Sequence, residues 1–192
     1  MAYASLERFR DITGRNVLAL QQAKEAGKKV VGQYCIYSPL EIALAAGAIP
    51  VSLCGTKNDS IPVAETMLPR SLCPLIKSSF GFALQDSCPY LAASDIVVAD
   101  TTCDGKKKMY ELLAAYKPVV LLQLPQIQDG DAKDYWRAQY AKLAARLEKD
   151  FGVSITTDDL RNAVRLTNRL RRALKDVLDL AKRKPSPMTG MD

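Results

Sequence analysis

Apolar and polar positions alternate along this chain with two different periods, and the switches between them outline an α/β fold. Over residues 5–26, Leu6, Phe9, Val17, Leu18 and Leu20 recur at helical spacing, and Gly27 is a stop signal. Residues 29–34 are a short β-branched run that predicts a first strand. Ser38-Pro39-Leu40-Glu41 then reads as a helix start, with Ser38 as N-cap, Pro39 in the first turn and Glu41 at the capping-box position. That helix ends at Gly47. A second strand is predicted over 49–53, and 60–69 reads as a loop with a short helical turn. Cys73-Pro74 opens a helix to Leu84, and 95–99 has the continuous apolar character of a buried strand. A helix over 106–116, a strand over 118–124 and a helix over 131–151 follow. Thr156 or Thr157, followed by Asp158-Asp159, caps a last helix to about Arg183. Strands alternating with helices predict a Rossmann-like parallel sheet flanked by helices, with an N-terminal helix and a long C-terminal one. The expected boundaries are a domain over 1–184 and a Pro- and Gly-containing linker over 185–192, leading toward a second half outside this chain.

The length of 192 residues suits one domain with a real core, and 48% hydrophobic and 25% charged content are those of a globular protein. The longest apolar stretches are far too short to span a membrane, and the N-terminus lacks the apolar centre of a signal peptide. A cytoplasmic location without membrane association is the expectation. The formal charge of +6 is concentrated: residues 157–184 hold nine Lys or Arg against four Asp or Glu. The last helix is therefore basic. No aromatic residue interleaves with these charges, so a solvated face or a docking surface fits better than a nucleic-acid site. The chain has no histidine, which excludes Ser-His and Cys-His nucleophiles and His-ligated zinc or haem. It also has no Cys-x-x-Cys pair, which argues against thioredoxin-like motifs, zinc ribbons and bacterial ferredoxin runs.

The five cysteines all fall within the 69 residues from Cys35 to Cys103, each beside a predicted strand end or helix start. Cys35 follows the first strand and Cys54 ends the second. Cys73 and Cys88 each precede a proline, as expected at a helix N-terminus, and Cys103 lies between a strand and a helix. The carboxyl ends of parallel strands form the crevice in which such folds bind ligands. Helix N-termini there favour anionic thiolates and donate N–H groups to sulfur. Lys77 and Lys106–Lys108 add positive charge in the sequence nearby. Spacing alone leaves structural zinc, an iron–sulfur cluster and plainly buried thiols all open, Cys54 being the best candidate for a core residue.

Four segments carry a resemblance: Gly32-Gln-Tyr-Cys-Ile-Tyr-Ser-Pro-Leu-Glu-Ile, Ala45-Ala-Gly-Ala-Ile-Pro-Val, Leu68-Pro-Arg-Ser-Leu-Cys-Pro-Leu-Ile-Lys-Ser-Ser-Phe-Gly and Thr101-Thr-Cys-Asp-Gly-Lys-Lys-Lys. In this order they resemble the 2-hydroxyacyl-CoA dehydratase D-component family. Gly81-Phe-Ala-Leu, Cys88-Pro-Tyr and the Cys103-Asp-Gly-Lys-Lys-Lys run are most similar to its double-cubane-cluster anaerobic reductase branch. The resemblance implies a [4Fe-4S] or double-cubane iron–sulfur cluster ligated at Cys35, Cys73 and Cys103, with Cys88 as the additional ligand and Cys54 a weaker candidate. It implies an anaerobic, low-potential reductase component supplied with electrons by an ATP-hydrolysing iron–sulfur activator protein. The alternative it implies is a radical lyase subunit, in which one electron converts the thioester of a 2-hydroxyacyl-CoA to a ketyl radical and lets the hydroxyl leave. A second half or second subunit, a small-molecule or acyl-CoA substrate and a dimer are expected as partners. Tyr34, Tyr37, Ser79 and Glu41 are candidates to line a substrate pocket, although each equally suits a capping or packing role. From a different class, a structural zinc module with a docking helix remains the non-enzymatic alternative.

Overall fold

The structure, a computed structural model, describes residues 11–187. Among these, four strands form one parallel sheet in the order β2-β1-β3-β4, with β1 Val30–Gln33, β2 Ile49–Ser52, β3 Ile96–Asp100 and β4 Val119–Leu122. The helices are α1 Ile12–Glu25, α2 Leu40–Ala45, α3 Ile61–Ala64, α4 Pro74–Leu84, α5 Pro89–Ala93, α6 Asp104–Leu113, α7 Ala132–Phe151 and α8 Thr157–Leu180. The Rossmann-like parallel α/β architecture read from the periodicity is the one observed. The expected start of the N-terminal helix over 5–10, and residues 188–192 of the expected linker, lie outside the described residues.

The β3 sequence Ile-Val-Val-Ala-Asp is buried along its whole length because helices cover both faces of the sheet. Ile96 and Val98 point with Val31 and Leu122 toward Ile42 and Ala43 of α2 and Leu143 and Leu147 of α7. Val97 and Ala99 point the other way, into a core made with Ala64, Ile76, Phe80, Met109, Tyr110 and Leu113 of α3, α4 and α6. The strand order reverses between β1 and β3: from β1 the chain passes outward to β2, and from β3 to β4 on the other side. A crevice is expected at the carboxyl ends of those two central strands.

Helix starts show where local signals hold and where tertiary contacts override them. At α8 the Thr156 Oγ1 accepts from the Asp159 N–H while the Asp159 carboxylate accepts from the Thr156 N–H, a complete capping box. At α2 the expected cap is not made. Pro39 is the N-cap residue, and the Ser38 hydroxyl instead donates to the carbonyls of Tyr34, just past β1, and of Val98, within β3. Glu41 turns to α8, where its carboxylate accepts from Thr167 Oγ1 at 2.7 Å and from Arg171 Nη2 at 2.6 Å. Partial burial works against the Glu41 charge, but these bonds and the Arg171 charge outweigh it and hold the carboxyl below 4.5. Its folded pKa is depressed, so the stabilisation is present above the unfolded value and is lost as pH falls through the folded one. Glu41→Gln is expected to cost about 1 kcal/mol at pH 7, and the gap to wild type should narrow as pH falls from 5 toward 3, measured by urea unfolding across that range.

A candidate iron–sulfur centre at the carboxyl edge of the sheet

All five cysteines lie at the carboxyl-terminal edge of the sheet, on the loops and helix starts that follow strands β1, β2 and β3. Cys73, Cys88 and Cys103 are the N-cap residues of α4, α5 and α6, and none of the three side chains makes a capping bond. Proline at the first turn of α4 and of α5 explains two of these starts: its fixed φ suits a first turn, and it bars α geometry at the cysteine before it. The cysteines therefore sit beside first-turn N–H groups without bonding to them through sulfur. Cys35 has a left-handed backbone with φ 65°, unusual for a residue with a Cβ, immediately after β1.

Cys35, Cys54 and Cys88 all lie within electrostatic reach of Tyr34. Burial pushes the Tyr34 phenol well up, and the negative charges of Cys88, Cys54 and Cys35 push the same way. Burial likewise raises Tyr110, with the Cys35 charge and contact adding to it. Both phenols keep their protons across the ordinary pH range. Cys73 and Cys103 lie at helix starts that abut: a Cβ on Gly105 would meet Leu72 and Ile76 at 2.9 Å. Gly105 thus permits the close approach of α6 to α4.

Among the described residues, no group of three or more Cys, Asp or Glu closes into a cage that could hold a metal ion. The thiols line one edge, three of them exposed and Cys35 and Cys88 half-buried. The donor chemistry nevertheless suits an iron–sulfur cluster: soft sulfur ligands, no imidazole, and three of the cysteines at helix starts. Cys54 is exposed while its neighbour Leu53 is buried, which corrects the expectation that Cys54 belongs to the core.

Of the lysines expected near the thiols, one reaches them. Lys106 Nζ donates to Cys35 Sγ. Burial disfavours its charge, but the bond and charge of Cys35, with Cys54 and Asp100, outweigh this and raise its pKa. Lys107 and Lys108 pair instead with Asp104 and Glu111. Lys77 is buried, its ammonium bonded to Glu65 at 2.7 Å and to the Arg70 carbonyl at 2.8 Å. The four pocket candidates are structural in their contacts. Tyr34 is core, Tyr37 packs edge-on against Trp136, and Glu41 is bound to α8. Ser79 accepts from the Gly55 N–H at 2.9 Å and donates to the Leu75 carbonyl at 2.8 Å. A hollow of about 630 Å³ does lie beside the site, lined by Thr101, Lys107, Tyr110, Leu121, Gln123 and Tyr135. A second hollow, of about 570 Å³, between α1 and β2 contains none of the cysteines.

Two positioning features go beyond what the sequence pattern singled out. Asp100, fully buried at the end of β3, accepts from the Tyr37 N–H at 3.2 Å and from the Thr102 N–H at 3.3 Å, so one carboxylate ties the Cys35 loop to the Cys103 loop. The signal in the sequence was an acidic residue ending an uncharged apolar run. Asp100→Ala is expected to destabilise the domain by about 2 kcal/mol, and Asp100→Asn by less because one acceptor oxygen is kept; urea midpoints at constant slope check this. The second feature is a serine network. Ser60 donates to the Ser78 carbonyl at 3.0 Å and Ser78 to the Lys57 carbonyl at 2.6 Å, which pins the segment after Cys54 onto α4. Adjacent serines inside an otherwise apolar helix were its signal.

A parallel α/β domain with five thiols and no histidine at its switch-point edge is a candidate redox-cluster domain. The chain belongs to the 2-hydroxyglutaryl-CoA dehydratase, D-component family, which it matches over residues 35–192. Among curated relatives, YjiM of Escherichia coli (strain K12), assigned as a dehydratase subunit, is 46% identical over 190 residues, covering 98% of this chain and 50% of that protein. Lactoyl-CoA dehydratase subunit beta of Anaerotignum propionicum is 27% identical over 180 residues, 93% of this chain and 47% of that protein. A benzoyl-CoA reductase subunit of Thauera aromatica is 28% identical over 182 residues, 91% of this chain and 46% of that protein. The chain thus spans about half the length of these relatives. No helix among the described residues is long and apolar enough to cross a membrane.

Proposed function

We propose that this chain is the cluster-binding half of an iron–sulfur reductase component, with Cys35, Cys73 and Cys103 as ligands and Cys88 as the additional ligand of a double-cubane cluster. The observation that carries this reading is the placement of three cysteines at uncapped helix N-termini and a fourth in strained backbone, all at one sheet edge. Such a cluster, when bound, supplies low-potential single electrons. The chain's own residues shape the site around it. Asp100 holds two of the ligand loops in register, and Tyr34 and Tyr110 are buried beside Cys35. The hollow bordered by Tyr110, Gln123 and Tyr135 is the proposed place for a small acyl-CoA-type substrate.

Electrons come, in this reading, from an ATP-hydrolysing activator, and the site is completed by a second half or a second protein. Supporting a partner is the apolar face of α8. Its start is buried through Ala163 and Thr167, but Leu170, Leu174, Val177 and Leu178 continue the stripe in the open. A dimer and a cytoplasmic location remain part of the proposal.

The second reading, a 2-hydroxyacyl-CoA dehydratase (radical lyase) subunit, is favoured by the names of several relatives. The zinc module considered from the sequence is not the reading the relatives favour. Anaerobic purification followed by iron, sulfide and zinc analysis separates the three. Iron beyond a single cubane per chain supports the reductase, a single cubane the dehydratase, and stoichiometric zinc without sulfide or a brown chromophore overturns both.

A further inference from the structure

Cys35 is surrounded differently from the other four cysteines. Its left-handed backbone sends Sγ across the switch point from β1 toward the segment that follows β3. Three side chains of that one segment meet it there. Lys106 Nζ donates to Sγ, Thr102 Oγ1 donates from 3.8 Å, and the Tyr110 hydroxyl lies at 3.8 Å. Lys106 and Tyr110 are one turn apart on α6 and so present themselves to the same side. The other two lysines of the run are held away by Asp104 and Glu111, so the run places one cation on the sulfur. Beneath it, Asp100 fixes the β3–α6 turn through the Thr102 N–H.

We propose that Lys106 is a positioning residue for the cluster: it orients Cys35 Sγ for ligation and, with the cluster bound, donates its N–H to sulfur and sets the reduction potential. This rests on the reading of Cys35 as a ligand. Reduction adds one negative charge to the cluster, and an ammonium at hydrogen-bond distance stabilises that charge more than it stabilises the oxidised state. Lys106 therefore holds the potential above the value the thiolates alone would give. The same positive charge offsets the mutual repulsion of the sulfurs as they converge.

The test uses the full chain reconstituted anaerobically with iron and sulfide, and reads the potential by titration monitored with electron paramagnetic resonance. Lys106→Met is expected to shift the reduction equilibrium about tenfold toward the oxidised state, a fall of about 59 mV for a one-electron couple. Lys106→Arg should restore most of the shift, and Lys107→Met should leave the potential unchanged. Should Lys106→Met lose the cluster, Lys106→Gln, which keeps an N–H donor without the charge, is read in its place with the same expected direction. A loaded Lys106→Met or Lys106→Gln chain that titrates within about twofold of wild type overturns the proposal, as does a Lys106→Arg chain that titrates like Lys106→Met. Wild-type protein that takes up no iron or sulfide overturns the ligand reading and this inference together. Normal wild-type loading with an unshifted variant overturns this inference alone.

Discussion

Serine in place of Cys35 is expected to lower the iron and sulfide content of the reconstituted chain by at least ~10-fold, the largest functional effect of any single substitution in this domain. The hydroxyl is a hard donor that stays protonated near neutral pH, so it cannot replace a thiolate on iron. The loss should exceed that at Cys54, because Cys35 is half-buried after the central strand β1, while Cys54 follows the outer strand β2 and is exposed. Cys73→Ser and Cys103→Ser should move in the same direction. Cys88→Ser should reduce the number of irons without abolishing the chromophore. The fold tolerates these changes because none of the five thiols belongs to the fully buried core, so circular dichroism and the urea midpoint should stay near wild type while metal content falls.

Gly81→Ala is expected to produce the largest loss of stability, on the order of 3 kcal/mol. In the middle of α4, alanine would ordinarily gain about 1 kcal/mol over glycine from helix propensity. Here a Cβ would lie 1.8 Å from the Ser60 carbonyl oxygen and 2.6 Å from its carbon, and both are backbone atoms that cannot swing aside. Relieving the clash means separating α3 from α4, which breaks the Ser60–Ser78 bonds and frees the segment after Cys54. Gly14→Ala is the control: a Cβ there meets nothing within 4 Å, so the propensity term should act alone and stabilise slightly. Urea unfolding of the two variants beside wild type decides the sign.

The elements were legible in the sequence where a local rule coincided with a tertiary need. Cys73-Pro74 starts a helix in sequence pattern and structure alike, the Thr156–Asp159 box forms, and the apolar run at Ile96 is buried because helices cover both sheet faces. The misses are residues whose local signal competed with a distant partner. Ser38 had the sequence context of a cap, but its hydroxyl found the carbonyls of Tyr34 after β1 and Val98 within β3. Glu41 had the spacing of a capping box and was taken by Arg171, 130 positions away. The lysine run shows the limit most clearly. Sequence places three cations beside Cys103, yet the one that reaches Cys35 is chosen by the rotation of α6 against the sheet, which no local pattern encodes. Exposure of Cys54, by contrast, follows the local alternation past the strand end: Val51 and Leu53 pack on the core while Ser52 and Cys54 face out.

That the cysteines at the sheet's carboxyl edge act together as cluster ligands is tested most directly by thiol footprinting. The chain is alkylated anaerobically before and after reconstitution with iron and sulfide, and each cysteine is read separately by peptide mass spectrometry. Cys35, Cys73, Cys103 and Cys88 are predicted to become protected together, in proportion to bound iron, while Cys54 stays open to the reagent. Equal labelling of Cys35, Cys73 and Cys103 with and without bound iron contradicts the account.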